Sequence, residues 1–356
     1  MLPLLEEIEA YLQQEVAPLA ITLDHDPQVL RTTLQRFGDR GWLALRVPEI
    51  WQGLAISETT FRYVQELIAR YSGALAFLQA QHQSAASMLC HSHNSQLQQT
   101  YLPRMSNGQA LVGVGFSHLR RRKNSPVQAL PIVGGYQVQG TVPWVTGFGC
   151  FQTFIVAATL PDQQAVYGLV PFTHTVQAQG GSIAFSPPMQ LAALTATNTV
   201  TAQFNNWFLA HDQVVFIKPI AAIEQADYLN VLHHSFFAIG CARAGLDIIQ
   251  STANQKPFIF IQAAYEQLHQ EWQTCRSAIF AATSQPYETK LKLRAWAIEL
   301  AVRCAHAAVT VSSGAANDFH HAAQRIYREA LVFTVTGQTT DVMEATLTRL
   351  VRQPTY

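Results

Sequence analysis

Charge is scarce in this chain. Asp, Glu, Lys and Arg make up 13% of its 356 residues, about half the usual share. The 23 acidic residues balance 23 basic ones, so no global field points to nucleic acid or to an anionic membrane. No apolar run approaches the roughly 20 residues that a membrane span needs. The N-terminal stretch Met1–Glu9 is acidic and lacks the basic start of a secretory signal, so a cytoplasmic protein is expected. The five cysteines, Cys90, Cys150, Cys241, Cys275 and Cys304, are odd in number and widely scattered, which reads as reduced thiols. Several signatures are absent as well. The chain has no Gly-x-Ser-x-Gly elbow for a serine hydrolase, no phosphate-binding Walker pattern, and no Gly-x-Gly-x-x-Gly opening a helix after a strand. Cys90, His91 and His93 lie close together, but on a helix at most two of them share a face. His233-His234 and His320-His321 are adjacent pairs that diverge, so no metal site is expected.

Apolar residues are abundant, at 49%. Such a chain buries a large core and is not disordered, and its length fits two or three structural units. Periodicity is helical at Leu4–Val16, in a segment opened by Asp26-Pro27 as N-cap and first helical residue, and from Ser57 to about Cys90 with a break only at Gly73. A short helix is expected to end at Tyr101-Leu102-Pro103. Between Ala110 and Phe216 the composition shifts to Val, Thr, Phe, Gly and Pro in short runs separated by turns, which reads as an antiparallel all-β unit. From Lys218 onward long Ala/Leu/Ile/Gln segments return and predict a bundle of four long helices plus a short one. The expected architecture is α+β and multidomain: an N-terminal helical domain at 1–109, a middle antiparallel β-barrel at 110–217 and a C-terminal four-helix bundle at 218–356.

Two spots stand out for chemistry. Arg120-Arg121-Arg122-Lys123 is the one dense charge run, either a solvated loop or an anion site for a cofactor pyrophosphate or a coenzyme A phosphate. In Pro143-Trp144-Val145-Thr146-Gly147, a Trp two residues before a Thr at a strand end offers an indole wall and a hydroxyl to a flat ring. Read alone, such a Trp is more often a core residue.

These pieces follow a familiar order, and the chain resembles the acyl-CoA dehydrogenase superfamily over nearly its whole length. The segments that carry the resemblance are Gly41-Trp42…Pro48-Glu49…Gly53, Tyr101-Leu102-Pro103…Gly108, Gly135-Tyr136…Trp144-Val145-Thr146-Gly147, Ala238-Ile239-Gly240…Ala244-Gly245-Leu246-Asp247 and Gln324-Arg325-Ile326-Tyr327-Arg328-Glu329-Ala330. The resemblance implies a homodimer or homotetramer that holds FAD between the β-domain, the bundle and a neighbouring subunit. It implies that Trp144 and Thr146 sit against the flavin, and that Phe116 and Ser117 line flavin and substrate.

The departures matter as much. The family's "T-E-P-x-x-G-S-D" is replaced by the shorter Phe116–Lys123, which removes the Ser that contacts the pyrophosphate. Lys256 stands where an Arg reaches the pyrophosphate across the dimer, and a point charge lacks the bidentate fork. The family removes the substrate's α-proton with a glutamate at one of two places, which here hold Thr336 and Asn230. Neither titrates near neutral pH. Glu329 and Glu344 are near in sequence, but family geometry places neither over the flavin. Three expectations follow. The first is a flavin-dependent oxidoreductase acting on an acyl thioester such as an acyl-CoA, with hydride transfer to FAD and no identified base. The second is a base-less flavin monooxygenase of the same fold. The third is a degenerate member that has lost the cofactor and serves as a binding or scaffold protein; for the cofactor itself, FMN or none are the alternatives to FAD.

Overall fold

A computed structural model describes residues 2–120 and 125–351. The N-terminal layer holds α1 (Leu2–Tyr11), α2 (Ala20–His25), α3 (Pro27–Gly38), α4 (Glu58–Tyr71), α5 (Gly73–Cys90) and α6 (Ser95–Met105). Local chemistry sets their ends. Asp26 accepts from the Gln28 and Val29 amides at 2.8 and 3.2 Å, with Pro27 in the first turn of α3. The helical run from Ser57 to Cys90 divides at Ser72, whose hydroxyl caps α5 through the Leu75 amide at 3.2 Å. Pro103 does not end α6, which continues to Met105 with the proline inside it.

The strands are β1 (Val112–Gly115), β2 (Val127–Ile132), β3 (Gly135–Val145), β4 (Thr153–Thr159), β5 (Gln164–Pro171), β6 (Thr175–Val176), β7 (Ser182–Phe185), β8 (Val200–Ala210) and β9 (Val214–Pro219). They form one sheet in the order β6-β7-β8-β3-β2-β4-β5-β9, with β1 against β4. The expected antiparallel barrel is corrected here in one respect: the sheet is mixed. β1 runs parallel to β4 in the register Val112↔Thr153, and β2 meets β4 in parallel at Gln128↔Thr159. Among the described residues no pairing joins β6 to β9, so the sheet is not shown to close. Alternation within each strand reports which face is buried and says nothing about the direction of a neighbour drawn from elsewhere in the chain.

The C-terminal part holds α7 (Ala222–Leu229), α8 (Ser235–Gln255), α9 (Ile259–Ala281), α10 (Tyr287–Ser312), α11 (Ala322–Val335) and α12 (Thr340–Leu350). Among the described residues no helix is long and apolar enough to cross a membrane.

α8 is the axis of the molecule because two of its glycines admit neighbouring backbones. A Cβ on Gly240 would lie 2.3 Å from the Glu66 carbonyl oxygen of α4, and one on Gly245 would lie 2.8 Å from the Cys304 carbonyl of α10. Gly240→Ala is therefore expected to cost about 2–3 kcal/mol through overpacking, despite alanine's better helix propensity. Urea unfolding checks this, and a variant as stable as the parent would show that the crossing yields.

Two buried polar arrangements tie the layers together. His82 on α5 is fully buried, accepts from the Val112 amide of β1 at 3.0 Å and donates from Nε2 to the Met105 carbonyl at 3.1 Å. Asp24 on α2 accepts from the Leu194 amide and, at 2.8 Å, from Arg328 of α11. Beside it, Arg325 donates to Glu329 at 3.0 Å and to the Tyr71 carbonyl at 3.1 Å, and Glu329 accepts from the Gly73 amide. Burial pushes the Glu329 carboxyl up to about 7 against the pull of Arg325.

Candidate functional site

The site grows from the ends of two neighbouring strands. Gly115 of β1 and Val145 of β3 are in contact, since a Cβ on Gly115 would meet the Val145 side chain at 3.2 Å. The two strands run in opposite directions, since a Cβ on Gly113 would lie 3.4 Å from the Thr146 carbonyl oxygen, so Phe116-Ser117 and Thr146 lead away from this contact on opposite sides. Phe116 is half-buried, edge-on to Tyr167 with ring centroids 6.1 Å apart, and Ser117 is exposed. Thr146 is buried and shares a hydrogen bond of 2.9 Å with the Thr199 hydroxyl. Trp144 is 47% exposed between the buried Val142 and Val145. The register break between Val142 and Val145 turns it away from the core. It is a surface indole rather than a core one.

A short turn, Ser117–Arg120, carries the chain from this strand end toward the bundle. Arg120 forms a bidentate pair with Asp227 of α7, Nε to Oδ2 at 2.7 Å and Nη2 to Oδ1 at 2.8 Å. The remaining cations of the run, Arg121 to Lys123, lie outside the described residues. One helical turn beyond Asp227 come Asn230 and Val231. The exposed Asn230 places its amide on its own helix, on the Ala226 carbonyl at 2.9 Å. Thr336 behaves alike, donating to the Val332 carbonyl at 2.8 Å. Both side chains are spent locally.

The two segments are nevertheless brought together, and one side chain does it. Arg294 of α10 is 3% exposed, and its guanidinium donates to the Val231 carbonyl at 2.8 Å, the Thr336 carbonyl at 2.8 Å and the Gly337 carbonyl at 3.0 Å. Burial lowers its pKa to about 10, with Asp227 opposing and Arg120 assisting. It therefore stays a cation at neutral pH. Gly337 turns with φ +59°, and the ring of His234 packs so closely on it that a Cβ would fall 2.3 Å from Nε2. Burial holds His234 well below the ordinary imidazole range, and Arg294, His233 and Arg120 push the same way. His233 faces outward from this cluster and donates to Glu58 at 3.0 Å; that hydrogen bond, reinforced by Arg46, holds Glu58 at about 2. On the far side Tyr287 donates to Asp341 at 2.9 Å and stacks on Tyr228 at 4.2 Å.

Of the residues marked from the sequence, Phe116, Ser117, Trp144 and Thr146 flank the Gly115–Val145 contact along the chain, and Asn230 and Thr336 lie on segments joined by Arg294. Lys256 is elsewhere. It follows the last residue of α8 and donates to the Val311 carbonyl near the end of α10 at 3.0 Å. Glu344 is exposed and Glu329 is sealed under Gly73. Sequence reasoning missed Asp227 and Arg294, and set His234 aside as one of a diverging pair. Arg294 carried a detectable signal, because it sits within a long apolar helix and a buried arginine needs acceptors.

The model for the acyl-CoA dehydrogenase N-terminal domain matches residues 3–109. The very long-chain specific acyl-CoA dehydrogenase of Mus musculus mitochondria is 27% identical over 221 residues, which are 56% of this chain and 33% of that protein. A probable acyl-CoA dehydrogenase of Bacillus subtilis (strain 168) is 19% identical over 365 residues, covering 97% of this chain and 96% of its own. Residues 3–109 thus match the acyl-CoA dehydrogenase N-terminal domain, and the chain as a whole is similar to acyl-CoA dehydrogenases. Two solved structures carry the same fold. Glutaryl-coenzyme A dehydrogenase in its glutaryl-CoA complex superposes with a TM-score of 0.82 at 19% identity, covering 98% of this chain and 95% of that one. Butyryl-CoA dehydrogenase from Megasphaera elsdenii does so with 0.80 at 14% identity, covering 98% and 97%. The chain spans about a third of the length of the very long-chain relatives it matches.

The fit to the superfamily's flavin is uneven. For the ring there is the exposed indole of Trp144, followed by a backbone anchored by the Gly147 amide on the Thr197 carbonyl at 2.8 Å. For the pyrophosphate, the described cations nearest the superfamily's positions, Arg120 and Lys256, are already paired within the chain.

Proposed function

We propose that this protein is a flavin-dependent oxidoreductase that takes an acyl thioester such as an acyl-CoA and works as a homodimer or homotetramer. The observation that carries the reading is the half-exposed Trp144 beside the Gly115–Val145 contact, from which the turn Ser117–Arg120 leads through the Arg120–Asp227 pair to the end of α7 that Arg294 joins to Thr336-Gly337. Bound FAD supplies a two-electron acceptor there. Trp144 offers the ring a flat apolar wall, and Phe116 and Tyr167 keep water from one side. Arg294 holds the Thr336-Gly337 turn and the Val231 segment at fixed separation, so that whatever lies between them meets a rigid wall.

Oligomerisation is supported by apolar stripes on the outer helices. Tyr327, Leu331 and Val335 are exposed at four-residue spacing on α11, and Met343, Leu347 and Leu350 line α12. In a chain so poor in charge these stripes favour a second copy; a monomer in light scattering at micromolar concentration would remove that support.

A second reading, a flavin-free binding protein, is favoured by the internal pairing of Arg120 and Lys256. An absorbance spectrum between 300 and 550 nm, taken before and after FAD loading and desalting, separates the two. Retained flavin bands that bleach anaerobically on addition of an acyl-CoA support the oxidoreductase, and no flavin after loading overturns it. Within the first reading, Trp144→Ala is expected to weaken FAD retention about two- to tenfold, the value of one aromatic stacking contact. Equal FAD affinity in the variant would take Trp144 out of the site.

A further inference from the structure

We propose that Asp227 is the proton acceptor of this site, a carboxylate moved one helical turn from the position that Asn230 occupies. This rests on the reading of the protein as an acyl-thioester oxidoreductase.

The described carboxylates around the joined segments are Asp227, Glu58 and Asp341, and their surroundings separate them. Glu58 is engaged from several sides, by Arg46 at 2.7 Å, Arg62 at 3.1 Å and His233 at 3.0 Å. Asp341 accepts the Tyr287 hydroxyl on the outer side of Tyr287 and Tyr228 and is itself exposed. Asp227 stands on the turn of α7 directly before Asn230-Val231, whose Val231 carbonyl is held by Arg294 together with those of Thr336 and Gly337. It lies four residues before Val231, at the end of α7 that Arg294 holds to the Thr336-Gly337 turn.

Its partner also ties it to the strand edge. Arg120 comes from the turn that begins at Ser117, next to Phe116, so the Arg120–Asp227 pair fixes α7 against the residues assigned to the flavin ring. A carboxylate has about four lone-pair sites. Arg120 uses one on each oxygen, and the 21% exposure of the Asp227 side chain leaves the others reachable. Thr336 and Asn230 cannot take the role, since neither side chain is a base and both are bonded to their own helices. His234 is desolvated among cations, a setting that opposes gaining a positive charge.

The step is a proton transfer. The C–H bond α to the thioester carbonyl breaks, the proton goes to an Asp227 carboxylate oxygen, and the electron pair is delocalised onto the thioester oxygen as an enolate. The reverse step from D2O places deuterium on that carbon, so no oxidant is needed to observe it.

The test is deuterium incorporation at the α-carbon of butyryl-CoA in D2O, followed by NMR with the full-length protein loaded with FAD. Thermal melts confirm folding of each variant. Wild type is expected to exchange. Asp227→Asn should lose at least a hundredfold of the rate, the scale of one positioned general base, and Asp227→Glu should recover part of it. Arg120→Ala breaks the same ion pair but leaves the carboxylate, and should lose less than tenfold. Equal losses in Asp227→Asn and Arg120→Ala would assign the pair a structural role and overturn the proposal. So would exchange by Asp227→Asn at the wild-type rate, or wild type that retains flavin and shows no exchange. Failure to retain flavin at all would instead overturn the oxidoreductase reading, and is read separately from the absorbance spectrum.

Discussion

Asp24→Ala is expected to destabilise the protein by about 3–5 kcal/mol, the usual cost of removing one partner from a buried ion pair. Asp24 is 2% exposed and receives Arg328 from α11 and the Leu194 amide from the β-domain. The substitution therefore strands a guanidinium and an amide in one step. Leu194 adopts φ +60° in an αL turn, so its amide has little freedom to find another acceptor. Asp24→Asn should cost less, because its carbonyl oxygen still takes the Leu194 amide. Adding Arg328→Ala to Asp24→Ala should recover part of the loss by removing the uncompensated charge. Guanidinium-induced unfolding reads all three variants, and a loss below about 1 kcal/mol for Asp24→Ala would show that water replaces the carboxylate.

Acid is expected to act through His82. Burial lowers its pKa to about 4 from an ordinary 6.5, opposed by its bonds to Met105 and Val112. The unfolded chain thus binds a proton that the folded chain refuses. Stability from this residue is complete above pH 6.5 and is lost as pH falls through 4, amounting to about 3 kcal/mol. Glu329 works in the opposite sense: its raised carboxyl favours the folded state at low pH, and that contribution is lost as pH rises through 7. Comparing wild type with His82→Gln at pH 7 and pH 4.5 cancels the contribution of Glu329, which both proteins share. The variant should start less stable and lose less on acidification. A parallel loss in both proteins would remove His82 as a source of acid sensitivity.

Much of the frame was legible in the residues. Asp26-Pro27, Ser57 and Ser72 are caps whose hydrogen bonds reach only two or three residues along the chain. Helical periodicity and the Val/Thr-rich middle reported which face of each element is buried. Trp144 is an exception: alternation from the buried Val142 would put it inside, and the register break before Val145 turns it out. Where sequence reasoning fell short, the missing information was distance. Lys256 was marked for a phosphate by its place in a motif, yet it rests on a helix end 55 residues away. Nothing local distinguishes an ammonium that waits for a ligand from one that finishes a helix.

The amino-acid sequence by itself determined the helix–sheet–helix order, the capped ends of the helices, the resemblance to acyl-CoA dehydrogenases and the lack of a carboxylate at Thr336 and Asn230, because these depend on short-range periodicity and on residue identity. Only the tertiary structure decided that β1 runs parallel to β4, that Arg294 joins the two empty base positions, and that Asp227 stands beside them. Asp227 is paired with Arg120 across 107 residues. Such pairings are selected by the packing of whole elements, and no local pattern in the chain records which partner a distant charge will meet.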